Sequence, residues 1–205
     1  MNLTQHQPQL LKVLPATIAA FRPSPNRGER FAVGLPDTII VHFTETTSTE
    51  EAIEILCDPA SAKSAHFVVS REGVVTQLVE VDTEAWHAGR SVHETRSNLN
   101  RYSLGIELVN GGRLTRCFDG KFCTSDGSVI PEAEVLWAAH ANEGHGSWWH
   151  SYTKSQLTQL VDLMRFLVRQ LPIRYILGHD DVAPQRKCDP GPALPLKELR
   201  RLAGL

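Results

Sequence analysis

No stretch of this sequence stays apolar for the ~20 residues that a membrane-crossing helix needs. The most apolar early run, residues 13–21, is short and contains Pro15. It is also a poor secretory signal, with only Lys12 before it and no small-residue cleavage site after it. Synthesis in a cytoplasm without a cleavable signal is therefore the expectation. A basic excess is missing too: 21 Lys and Arg stand against 23 Asp and Glu, a net charge of −2. Proteins that hold nucleic acid by broad electrostatic attraction are far more basic, so that partner class is set aside. Cysteine is sparse, with four at positions 57, 117, 123 and 188 and no C-x-x-C pair. That excludes a zinc ribbon and a disulfide scaffold. Cys117 and Cys123 flank a turn-like stretch, Phe118-Asp119-Gly120-Lys121-Phe122, and can be adjacent across it. Reduced thiols are the expectation in a cytoplasm. Internal repeats and low-complexity tracts are absent.

What remains is an ordinary globular composition, 41% hydrophobic and 21% charged over 205 residues. That length suits one domain with an extension. Residues 1–35 read as an N-terminal arm, because Pro8, Pro15, Pro23 and Pro25 interrupt any long element. The body, residues 36–205, opens on the β-branched run Thr38-Ile39-Ile40-Val41-His42-Phe43, a buried strand. Ser48-Thr49-Glu50-Glu51 starts a short helix that stops before Pro59. Residues 66–70 and 74–79 flank Arg71-Glu72-Gly73 and predict a hairpin. Residues 103–109 predict a strand. Pro131, with Glu132 and Glu134 behind it, predicts a helix ended by Gly144. The apolar stripe Leu157, Leu160, Val161, Met164, Leu167, Val168 and Leu171 predicts the longest helix, capped by Thr153 and Gln156. A strand over 175–177 and a helix over 195–202 close the chain. The interleaving predicts an α/β fold: one central mixed β-sheet flanked by α-helices.

Candidate chemistry gathers at strand ends. His42 lies on the first strand of the body, and His179 follows the last. Asp189 sits ten residues further on, in a loop rich in Pro and Gly. Two imidazoles and a carboxylate suit a catalytic zinc with one position left for water. The spacing is no compact metal signature, and a histidine on a strand also reads as a satisfied core residue.

Several motifs carry a resemblance. Thr38-Ile39-Ile40-Val41-His42-Phe43-Thr44 resembles the first ligand strand of zinc-dependent N-acetylmuramoyl-L-alanine amidases. Residues 65–73 resemble their central hairpin, and Trp86-His87-Ala88-Gly89 matches a family signature. Residues 103–110 resemble the strand with the catalytic glutamate. Residues 178–184 and 186–192 resemble the closing motif. The likeness runs over roughly residues 36–194 in the family's motif order. A softer likeness, over 111–144 and 149–153, is to amidases of Gram-negative prophages, and it implies a flap beside the groove.

The resemblance implies one Zn²⁺ per chain, held by His42, His179 and Asp189. It implies Glu107 as the acid/base residue and Lys187 as the oxyanion stabiliser. His87, Trp86 and His66 are expected to contact substrate, although His66 reads equally well as structural. Trp148, Trp149 and His150 read either as a groove wall or as a capping cluster. Gln185 and Cys188 depart from the family's usual Gly and Thr. Asp189 directly precedes Pro190-Gly191 and so takes the ligand position, with Cys188 pointing elsewhere. The implied substrate is peptidoglycan or a muropeptide, cut between the muramic acid lactyl group and L-alanine. The settings this fits are a phage endolysin, fragment recycling in the cytoplasm, or an effector injected into a rival's periplasm. The alternative is a recognition module that keeps the groove without the reaction.

Overall fold

The computed structural model describes residues 18–205. Within the stretch read as an arm, Ile18–Phe21 (β1) and Arg27–Arg30 (β2) are strands, and Pro8 and Pro15 lie outside the described residues. Thr38–Phe43 (β3) leads to helix Thr49–Cys57 (α1), whose first turn is capped by the Ser48 side chain accepting from the Glu51 amide. Phe67–Val69 (β4), Val75–Gln77 (β5) and Thr83–Ala85 (β6) follow, then the two-residue ribbon Val92–His93 (β7) and Arg96–Ser97 (β8). Ser103–Leu108 (β9) completes the first half. The second half contains Arg113–Arg116 (β10), Phe122–Cys123 (β11), Val129–Ile130 (β12), Val135–Ala139 (β13) and Gly146–His150 (β14). Lys154–Gln170 (α2), Tyr175–Gly178 (β15), His179–Val182 (α3) and Leu196–Ala203 (α4) end the fold.

The central sheet is mixed, as expected, in the order β1-β5-β4-β9-β3-β15. Only β4 and β5 pair antiparallel; the other neighbours run parallel. Side chains alternate between the two faces of a strand. Ile39, Val41, Leu104, Ile106 and Leu108 bury against Leu160, Leu163, Met164 and Leu167 of α2. The opposite face carries Ile40 in one apolar cluster, and Val68 in another with Ala52, Ile53 and Leu56 of α1. The capping box of α2 is present, with Thr153 and Gln156 bonding reciprocally.

A second, five-stranded antiparallel sheet runs β12-β11-β10-β14-β13. It corrects the helix predicted after Pro131. Glu132–Glu134 make only a single 3₁₀ turn, and Val135–Ala139 then pairs with Gly146–His150, Trp137 opposite Trp148. The acidic residue read as a helix-start signal is used elsewhere: the Glu134 carboxylate receives the His150 ring and the Arg71 guanidinium. This sheet also brings together the two cysteines that flank the turn, for which reduced thiols are the expectation. Cys117 and Cys123 lie side by side across the turn between β10 and β11, with Cα atoms 5.9 Å apart, a spacing that suits a disulfide. Strand pairing sets Thr115 opposite Cys123 and Arg116 opposite Phe122, which brings the two sulfurs together.

Candidate active site

Strand register assembles the site. β3 and β9 place His42 directly opposite Glu107. On the other side of β3, Gly178 lies opposite Val41, so His179 arrives level with His42. Because Val41 and Ile106 face α2, His42 and Glu107 face away from it. Asp189 comes from the loop after α3. Its carbonyl accepts from the Asp180 amide at 2.8 Å, and the Tyr152 hydroxyl donates to the Pro190 carbonyl at 2.8 Å. Both contacts fix the loop against the sheet's end.

His42 Nδ1 and His179 Nδ1 lie 2.9 Å apart, and each is 2.9 Å from Asp189 Oδ2. All three side chains are buried. These atoms form a group able to hold a metal ion. A tetrahedral divalent ion with bonds of ~2.0–2.1 Å sets its donors about 3.3 Å apart, so the trio need open by only a few tenths of an ångström. Burial, helped by neighbouring His179, pushes His42 down to about 4, so its ring is neutral at pH 7, the form that ligates metals. Burial alone would raise Asp189. Hydrogen bonds to His179 and His42 outweigh it and hold the carboxyl well below the usual range.

Glu107 is the opposite case. Burial and the charge of Asp189 push it up to about 8, against the pull of Lys187 and Lys63. Its Oε2 is shielded from solvent and has no hydrogen-bond partner among the described residues. Glu107, the three candidate ligands, Lys187, His87 and Trp86 all line one cavity of about 340 Å³. Ile55 and Leu56 of α1 and Lys63 line it as well. Lys187 lines the cavity and, among the described residues, makes no ion pair. Cys188 also lines the cavity but is not in the donor group.

Some expected contributors lie elsewhere. His66 is fully buried and does not line the cavity: its Nδ1 accepts from the Gly105 amide at 3.0 Å, and its Nε2 faces the Thr83 carbonyl at 2.9 Å. Both ring nitrogens are thus taken by backbone, which is why this histidine is structural and not available to substrate. Trp149 is buried, donates to the Ala138 carbonyl at 3.1 Å and touches Gly191. Trp148 packs on Phe122 and Trp137. None of residues 111–150 lines this cavity; the second sheet reaches the ligand loop through Trp149, which packs against Gly191. Two features escaped sequence reasoning. The Ala88 carbonyl accepts from Arg186 at 2.9 Å and lies 3.1 Å from His179 Nε2. Lys63 lines the same cavity as Glu107 and draws its pKa down. A backbone carbonyl leaves no trace in residue types, and Lys63 is an ordinary surface lysine in sequence.

Comparison with known proteins matches residues 33–192 to the family described as N-acetylmuramoyl-L-alanine amidase (Amidase_2). The 1,6-anhydro-N-acetylmuramyl-L-alanine amidase AmpD of Escherichia coli K12 is 31% identical over 141 residues, covering 68% of this chain. The chain spans 57% of that relative's length. Among solved structures, a selenomethionine AmpD derivative superposes with a TM-score of 0.66 at 25% identity, covering 92% of this chain and 96% of that one. AmpDh3 from Pseudomonas aeruginosa, in complex with anhydromuramic pentapeptide, gives 0.59 at 27% identity, covering 84% and 61%.

Proposed function

The chain belongs to the N-acetylmuramoyl-L-alanine amidase family, and on that premise we propose that it hydrolyses the amide between the muramic acid lactyl group and L-alanine, with zinc held by His42, His179 and Asp189. One observation carries the proposal: three buried donors converge within 2.9 Å of one another beside an unpartnered glutamate in the same cavity. Zinc held there supplies Lewis-acid chemistry, polarising the scissile carbonyl and acidifying water.

The residues do the rest. Glu107 takes the proton of the attacking water through its free Oε2 and delivers it to the departing L-alanine nitrogen. A carboxyl raised toward neutrality serves both steps, since its proton affinity lies near working pH. Lys187 offers an unpaired ammonium to the oxygen that gains charge as the carbonyl is attacked. His42 stays neutral and Asp189 stays ionised, so this pair brings one negative charge to the metal position. Trp86, 38% exposed at the rim, presents an aromatic face to the sugar or the stem peptide. The names of the relatives make a 1,6-anhydro-muropeptide the first substrate to try. Among the described residues no helix is long and apolar enough to cross a membrane.

The test combines metal analysis with mass spectrometry of a muropeptide digest, for wild type and Glu107→Ala. The expected result is one zinc per chain in both, with free stem peptide and intact sugar from wild type alone. Zinc and muropeptide binding without cleavage by wild type would replace this reading with that of a recognition module.

A further inference from the structure

We infer that His87 is a positioning residue for the metal centre, acting through His42, and that residues 87 and 88 together orient both histidine ligands. The inference rests on the reading of His42 and His179 as ligands through Nδ1. A neutral imidazole that gives its Nδ1 lone pair to a metal must keep its proton on Nε2. For His42 the group facing Nε2 is His87 Nδ1, at 3.0 Å. His87 can accept there only if its own proton sits on Nε2. That nitrogen faces the Ser103 carbonyl at 3.3 Å, which can only accept. The Ser103 hydroxyl lies at the same distance but donates its proton to the Leu99 carbonyl at 2.6 Å. A backbone carbonyl thus sets the polarity of the whole relay: Ser103 fixes the His87 tautomer, His87 fixes the His42 tautomer, and Nδ1 of His42 is left open.

The neighbouring residue does the same for the second ligand. His179 Nε2 lies 3.1 Å from the Ala88 carbonyl and 3.4 Å from the Arg186 guanidinium; the nearer carbonyl, which can only accept, holds the proton there and leaves Nδ1 free. Arg186 braces this short segment by donating to the carbonyls of Ala88 and Arg90, at 2.9 and 3.0 Å. The seat of the His87 ring is equally constrained. A Cβ on Gly105 would lie 2.5 Å from its Cγ, so β9 makes room for the ring by carrying no side chain at that point. The ring stands edge-on to His42, with planes at 83°. Outer contacts of this kind usually change metal affinity 10–100-fold when removed.

Zinc affinity measured by chelator competition tests this, using wild type, His87→Leu and His87→Asn. Asn sets an amide oxygen near the place of Nδ1; Leu fills the space without an acceptor. The expected result is zinc binding ~10–100-fold weaker in His87→Leu and within about threefold of wild type in His87→Asn. Metal-free urea unfolding shows whether each variant is folded. A folded His87→Leu that binds zinc like wild type would overturn the inference, as would a folded His87→Asn as weak as His87→Leu. If a variant does not fold, zinc-loaded ¹⁵N-labelled wild type decides. A through-hydrogen-bond coupling between His42 Nε2 and His87 Nδ1 supports the relay, and its absence overturns it. Wild type without zinc would instead remove the ligand assignment beneath it.

Discussion

The protonation of Glu107 follows first from its burial and then from its cavity neighbours, the carboxylate Asp189 and two lysines. Its carboxyl, raised to about 8 from an ordinary 4.5, binds a proton more tightly in the folded than in the unfolded chain. Its stabilising contribution is therefore full below pH 4.5 and is lost as pH rises through about 8. Glu107→Gln cannot ionise and escapes that loss. In metal-free protein the unfolding free energy of wild type should fall relative to Glu107→Gln across this window, by on the order of a few kcal/mol. Urea titrations at several pH values measure it, and parallel curves would contradict the burial argument. In the zinc-loaded enzyme the same substitution should lower kcat by roughly 10²–10⁴ with zinc content unchanged. Lys187→Met should cost on the order of 10²–10³ in kcat, read from the rate of stem-peptide release, with the fold intact. At this scale the candidate ligands were legible because their motifs stand in family order. His66 and His87 could not be separated from sequence. Each is one histidine beside apolar residues, and only the partners of their ring nitrogens assign one to backbone and the other to the metal relay.

At the level of elements, close approach and burial decide what each position tolerates. Gly105→Ala would drive a methyl into the His87 ring from the middle of β9, where neighbouring strands prevent the backbone from moving aside. A loss of about 1–3 kcal/mol is expected, seen as a lower urea midpoint, with zinc affinity falling alongside. Trp149→Ala should cost about 3–5 kcal/mol. Its ring supports Gly191 and stacks on His140, so the 188–192 loop loses its backing and zinc binding weakens with it. Unaltered zinc affinity in a folded Trp149→Ala protein would show that the second sheet does not support the ligand loop. The main strands and α2 were readable because period-2 runs and a 3.6-residue stripe are strong local signals. The hairpin of β13 and β14 was not. Pro131 followed by acidic residues is a sound local helix start, and it was overridden by pairing with a strand whose tryptophans needed burial.

For the whole molecule, metal binding should appear as stability. Ligand that binds only the folded chain adds RT ln(1 + [L]/Kd), about 4 kcal/mol at a thousandfold excess over Kd. For a chain of this size that corresponds to a rise in Tm of roughly 8–16 °C. Differential scanning calorimetry with zinc, and then with chelator, should show the rise and its reversal. An unchanged Tm at saturating zinc would mean that the three donors hold no metal in the folded state.

The register that brings His42 level with His179 also sets a timetable. The partners of His42 lie 137 and 147 residues further along the chain. A ribosome adding ~5–20 residues per second needs on the order of 7–30 s to make that interval. During it, the first ligand strand exists without the other two donors, and the half-made chain offers zinc a single imidazole. The metal therefore cannot nucleate folding from the N-terminal side. β3 must first find β9, which pairs with β4 on its other side, through apolar pairing alone, and β15 must then dock on the free edge of β3. Metal loading is in this sense a proofreading step: it rewards only chains whose parallel strands have already met in the right register.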